Sequence, residues 1–217
     1  MDTMLYLLVS VIAFAVTALL GKWIIPFLHK LKFGQTIREV GPSWHKNKQG
    51  TPTMGGLMFI LGIAIAMIGC LPLFYSLGLE EAVLPKAKTF AGFGMAVAFG
   101  AIGFMDDYIS ILKKRNLGLT ERQKLVLQFL VAAAYLASIR LAGGGTFTTI
   151  PFVGQVDLGL FYYPLAAVVI VGVVNAVNFT DGIDGLNTTV SFFAFLSLAL
   201  CAGILSMTGL TALGLAS

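Results

Sequence analysis

Phe90-Ala-Gly-Phe-Gly-Met-Ala-Val-Ala-Phe-Gly-Ala-Ile-Gly-Phe-Met-Asp-Asp107 is the stretch on which the reading of this chain turns. An uncharged apolar run closes on two adjacent carboxylates. An ionised carboxylate placed in hydrocarbon costs about 3 kcal/mol, so it needs a partner or a task. The pattern recurs further along, where a second apolar stretch leads into Asn178-Phe-Thr-Asp-Gly-Ile-Asp-Gly185. Of the chain's 10 acidic residues, Asp106, Asp107, Asp181 and Asp184 thus lie at the edges of apolar segments.

Composition sets the class. The 217 residues are 58% hydrophobic and 11% charged, with a mean hydropathy of +0.91. A water-soluble domain of this length needs more polar surface, so the reading is an all-α integral membrane protein. Apolar stretches near 4–28, 53–76, 88–105, 123–142, 160–178 and 188–210 are each taken as a transmembrane helix, six in all, in one transmembrane domain spanning 1–217. A bilayer core of about 30 Å needs roughly 20 helical residues. The first run lacks a leading basic residue and is too long for a signal peptide, so it reads as a retained helix. Cys70 and Cys201 fall inside predicted spans and read as small packing residues, with no disulfide framework.

The basic residues set the orientation. Lys30, Lys32, Arg38, Lys46 and Lys48 lie between the first two spans; Lys113, Lys114, Arg115, Arg122 and Lys124 lie between the third and fourth. This bias puts the 29–52 and 106–122 loops in the cytoplasm and the N-terminus outside. Alternation then makes the 178–187 loop cytoplasmic, so both acid clusters share a face. Lys30, Lys32, Lys113 and Lys114 serve mainly to orient the chain and touch anionic headgroups. Membrane lipids are therefore expected partners, and nucleic acid is not. The β-branched segment near 146–158 suits a short periplasmic β-hairpin turning at Val153-Gly154.

Three loops carry candidate chemistry, each with a plainer structural alternative. Thr51-Pro52 suits a helix start, with a hydroxyl N-cap and proline at the first helical position. The same N-terminus, with Lys48 and Thr53 beside it, suits a phosphate. Asp106 and Asp107 sit where the helix dipole is negative, and need compensation from Lys113, Lys114, Arg115 or a bound Mg²⁺. Asp181 could N-cap the sixth span with Asp184 at N3, while Gly182 and Gly185 leave open backbone for a nucleotide or sugar. His29 and His45 lack metal-site spacing.

Gly50-Thr-Pro-Thr-Met-Gly-Gly56, Met105-Asp-Asp-Tyr108 with Lys114-Arg-Asn-Leu-Gly-Leu-Thr120, and Asn175-Ala-Val-Asn-Phe-Thr-Asp-Gly-Ile-Asp-Gly-Leu186 together resemble the phospho-N-acetylmuramoyl-pentapeptide transferases. These belong to the polyprenyl-phosphate N-acetylhexosamine-1-phosphate transferase superfamily. The resemblance covers essentially the whole chain. It implies a Mg²⁺-dependent transfer of phospho-MurNAc-pentapeptide from UDP-MurNAc-pentapeptide to undecaprenyl phosphate, giving lipid I and UMP at the bacterial inner membrane. Asp106 would be the base and Asp107 a metal- or substrate-supporting catalytic residue. Lys48 and Thr53 would face the phosphates and ribose; Asn178 and Asp181 would line the same pocket; Gly182, Ile183 and Asp184 would hold uridine. A homodimer is among the partners that the resemblance allows. One-step attack and a route through a covalent aspartyl intermediate both stay open.

The departure is length. The family has about ten spans, so the chain reads as the N-terminal part of a larger domain. The resemblance places the family's main metal-binding aspartate, and a histidine-rich loop, beyond Ser217. By itself the chain is expected to be inactive. A GlcNAc-1-phosphate transferase, an ion-coupled transporter or flippase, and a noncatalytic remnant are the competing readings. A transporter wants its acids near the membrane midplane.

Overall fold

The computed structural model describes residues 2–30, 53–76, 87–113, 118–150, 152–182 and 185–207. Six helices fall on the six apolar stretches: α1 (Asp2–Lys30), α2 (Gly56–Ser76), α3 (Ala87–Leu112), α4 (Glu121–Leu141), α5 (Tyr162–Thr180) and α6 (Leu186–Met207). The sixth stretch was expected to run to residue 210; its last residues, like Ser217, lie outside the described residues. Among the described residues, four segments are long and apolar enough to cross a membrane: Leu8–Lys30, Phe90–Leu112, Glu121–Leu141 and Gly159–Thr180. The apolar parts of α2 and α6, Gly56–Cys70 and Leu186–Leu198, are shorter. The chain divides into two compact units, 1–131 and 132–217, with the boundary inside α4.

In the first unit α1 and α2 pack at small residues. A Cβ on Gly62 would lie 3.2 Å from the Thr17 Cα and closer still to its hydroxyl. No larger residue fits at this crossing, which is how helices approach closely where water cannot drive them together. Gly62, Ala66 and Cys70 recur every fourth position and are buried, forming one stripe along α2. Cys70 is thus the packing residue expected, whereas Cys201 in α6 is exposed. Helix α3 meets α2 where a Cβ on Gly100 would lie 2.5 Å from Ile60 Cδ1.

Two boundaries differ from the sequence expectation. Helix α2 begins at Gly56, not at Thr51-Pro52, which lie outside the described residues. Thr53–Gly55 form a turn, and Met54 takes a left-handed conformation with φ of 68°. Helix α3 runs on through Asp106 and Asp107 to Leu112 instead of stopping at Met105. Phe104 and Tyr108, one turn apart, stack across the acids with centroids 6.0 Å apart, and Ile109, Ile111 and Leu112 continue the apolar face.

The second unit opens on the C-terminal half of α4. That helix ends in a Schellman motif: Gly143 has φ of 85°, Gly143 N–H donates to the Arg140 carbonyl, and Gly144 N–H donates to Ile139 at 2.8 Å. The expected hairpin follows as β1 (Phe147–Ile150) and β2 (Gly154–Asp157), antiparallel, with Ile150 paired to Gly154. Its connection spans 151–153, slightly earlier than the Val153-Gly154 turn read from sequence. At the base, the Thr146 hydroxyl donates to the Asp157 carboxylate, as does Gly159 N–H at 2.9 Å. These two donors hold the Asp157 carboxyl below its ordinary value of 3.8. A single 3₁₀ turn, Gly159–Phe161, then leads into α5.

Candidate active site

The acid pair sits in the penultimate turn of α3. Successive residues on a helix diverge, so the two carboxylates meet different neighbours. Asp106 Oδ1 accepts Leu119 N–H at 2.8 Å, and its Oδ2 lies 3.6 Å from Lys124 Nζ. Asp107 accepts the backbone N–H of Met54, in the turn that opens α2. Both aspartates are half-buried.

The compensation that these acids require therefore comes from within the chain. For Asp107 it is a free amide at the positive end of α2. For Asp106 it is Lys124, one turn into α4, rather than the Lys113, Lys114 or Arg115 singled out from sequence. Lys113 is exposed, and Lys114 and Arg115 lie outside the described residues. Lys124 is placed by the start of its helix. Thr120 and Gln123 form a reciprocal capping box, Thr120 N–H to Gln123 Oε1 at 3.0 Å and Gln123 N–H to Thr120 Oγ1 at 3.3 Å. The Thr-Glu-Arg-Gln spacing at 120–123 was the sequence signal for this.

Met54 is buried, at 7% exposure, and its carbonyl accepts Leu57 N–H at 3.2 Å as α2 begins. Thr53, beside it, is partly buried. The expected anion site at this helix start thus already gives one donor to Asp107. Lys48 lies outside the described residues.

The second acid motif belongs to the other unit. Asp181 does not cap α6, which begins only at Leu186. It is the C-cap of α5 instead, its N–H donating to the Val177 carbonyl at 3.2 Å. Gly185, with φ of 80°, precedes α6, and its carbonyl accepts Thr189 N–H at 2.9 Å. Asn178, Asp181 and Gly182 are exposed; Ile183 and Asp184 lie outside the described residues.

Among the described residues no three His, Cys, Asp or Glu side chains gather into a metal cage. Mg²⁺ does not demand a cage, since one or two carboxylates suffice when phosphates and water complete the shell. The contacts divide the pair for this purpose. Both Asp106 oxygens face donors in the chain, whereas Asp107 takes the amide of Met54 and lies in the field of Lys124.

A helical membrane protein with carboxylates pinned near a helix end, beside the opening turn of another helix, is the class that fold and site define. The family model described as glycosyl transferase family 4 matches residues 89–216, and the phospho-N-acetylmuramoyl-pentapeptide-transferase signature 1 matches residues 48–60. The chain belongs to glycosyl transferase family 4. It is similar to a phospho-N-acetylmuramoyl-pentapeptide-transferase of Halalkalibacterium halodurans, 43% identical over 197 residues covering 90% of this chain and 58% of that protein. The enzyme of that name from Clostridium perfringens strain SM101 is 46% identical over 182 residues, 83% of this chain and 53% of the relative. That of Geobacillus kaustophilus is 42% identical over 192 residues, 88% and 57% respectively. The chain therefore spans between 53% and 58% of the length of these relatives.

Proposed function

We propose that the protein is the phospho-N-acetylmuramoyl-pentapeptide transferase of a bacterial inner membrane. It moves phospho-MurNAc-pentapeptide from UDP-MurNAc-pentapeptide to undecaprenyl phosphate, forming lipid I and releasing UMP. The observation that carries this reading is the coupling of signature 1 to the acid pair: Met54, inside residues 48–60, donates its amide to Asp107. The six helices span the membrane with the N-terminus outside, and the acid-bearing loops face the cytoplasm.

In the reaction Asp106, oriented by Leu119 N–H and Lys124, accepts the proton of the carrier phosphate. Lys48 and Thr53 face the pyrophosphate and ribose, and Asn178, Asp181, Gly182, Ile183 and Asp184 bind the uridine side of the donor. Asp107 would hold Mg²⁺, which would supply charge neutralisation at the donor pyrophosphate. Fixed donors and charges supply most of the catalysis, because they need no reorganisation during the reaction.

The family match supports an enzyme over an ion-coupled carrier. Asp106 lies six residues, about 9 Å, before the end of the Phe90–Leu112 segment and five residues, about 7.5 Å, past its midpoint. The test is UMP release and lipid I formation from UDP-MurNAc-pentapeptide and undecaprenyl phosphate in membranes containing the full-length protein, with and without Mg²⁺. Product in the presence of Mg²⁺, lost in Asp106→Asn, supports the assignment. Near-normal turnover by that variant would falsify the base role. Transfer of GlcNAc-1-phosphate instead would move the protein to the neighbouring branch.

A further inference from the structure

We propose that Gly118 is a positioning residue for the Asp106 carboxylate, its bare Cα letting the turn before α4 close onto α3 so that Leu119 N–H fixes Oδ1. The geometry leaves no room for a side chain. A Cβ on Gly118 would lie 2.5 Å from Asp106 Oδ1 and 2.8 Å from its carbonyl carbon, and nearer still to the carbonyl oxygen. The neighbours on one side are backbone, which cannot swing away as the tip of a flexible side chain can. A methyl group at 118 must lift the turn or rotate the carboxylate.

The next residues show why this contact sets an orientation as well as a distance. Leu119 donates at 2.8 Å to Oδ1, Thr120 and Gln123 lock the start of α4, and Lys124 then stands 3.6 Å from Oδ2. A hydrogen bond on Oδ1 and an ion pair on Oδ2 hold the carboxylate from both sides. Both come from the segment whose approach Gly118 permits. A carboxylate held only by Lys124 would keep its charge partner and lose its direction.

The clamp itself does not depend on the proposed transferase activity; only the kinetic measurement does. The direct reading is water exchange of the Leu119 amide in the ¹⁵N-leucine-labelled chain in detergent micelles, the cross-peak assigned with Leu119→Ile. In the wild type this amide exchanges slowly. We expect at least tenfold faster exchange in Gly118→Ala and in Asp106→Ala. Gly103→Ala leaves it unchanged, because that exposed position one turn earlier on α3 has open space around its Cβ. Exchange in the wild type as fast as in an open loop overturns the clamp. So does slow exchange in a Gly118→Ala protein with native helical circular dichroism. If Gly118→Ala does not fold, the wild-type rate and Asp106→Ala still decide.

In membranes, Gly118→Ala lowers kcat by about tenfold to a hundredfold, the scale of a displacement near 1 Å. KM for the UDP-linked donor stays within twofold. A raised KM with kcat retained overturns the positioning role. Absence of transfer by the wild type defeats the functional reading alone, and the exchange measurement still judges the clamp.

Discussion

Asp106 and Asp107 are half-buried, and each carboxylate accepts a backbone amide from a different turn. Asp181 is exposed at the end of α5, and neither it nor Asn178 has a side-chain partner among the described residues. The two motifs share a composition of acids beside glycines and aromatics, yet they solve different problems. The first is set before any ligand arrives, as stabilisation of developing charge requires. In the second, the Asp181 amide and the Gly185 carbonyl hold backbone bonds while the Asn178 and Asp181 side chains are exposed, as suits groups that bind a ligand and then release it.

That contrast is best broken by paired variants. Asp106→Asn should lower turnover by about 10²- to 10⁴-fold, the range for a lost proton acceptor. Asp181→Asn should act mainly on KM for the UDP-linked donor, and initial-rate kinetics on both variants separate the two effects. A large kcat defect in Asp181→Asn with KM unchanged would erase the distinction. Next in size is Gly185→Ala. The site has open space but φ of 80°, so the cost is backbone strain alone, about 1–2 kcal/mol, read as a lower unfolding midpoint. Gln123→Ala removes half of the capping box. It should cost about 1 kcal/mol and speed amide exchange in the first turn of α4, leaving α5 unaffected.

The smallest effect is at Asp157, where the folded pKa is depressed. Its contribution to stability is fully present above the unfolded value near 3.8 and is lost as pH falls through the lower folded value. Protection of the Gly159 amide, its exchange relative to the intrinsic rate at each pH, should therefore fall below about pH 4, and Asp157→Asn should remove that change. Wild-type protection that stays constant across this range would show that the hairpin base does not rely on this charge.

The apolar runs made the helices legible, because backbone hydrogen-bonding demands and hydropathy act locally along each segment. The ends were harder. Asp106 and Asp107 looked like the stop of α3, yet Lys124 and two distant amides let the helix continue. Thr51-Pro52 has the chemistry of a helix start, but α2 opens later, after a left-handed Met54 whose amide is bound by Asp107. Neither contact is encoded near the residues it alters. The clearest unread local signals were the capping box at Thr120–Gln123 and the glycine pair that closes α4. The cluster of candidate acids was evident from spacing; which cation faced Asp106 was not, since Lys124 lies 18 residues further along.

Side chains on adjacent helical positions point about 100° apart. Asp106 and Asp107 consequently fasten two separate turns, one before α4 and one before α2, to the same level of α3. An axial slip of α3 by a single residue, about 1.5 Å, would unfasten both at once. The doublet is a registration mark: it sets the heights at which two other helices begin.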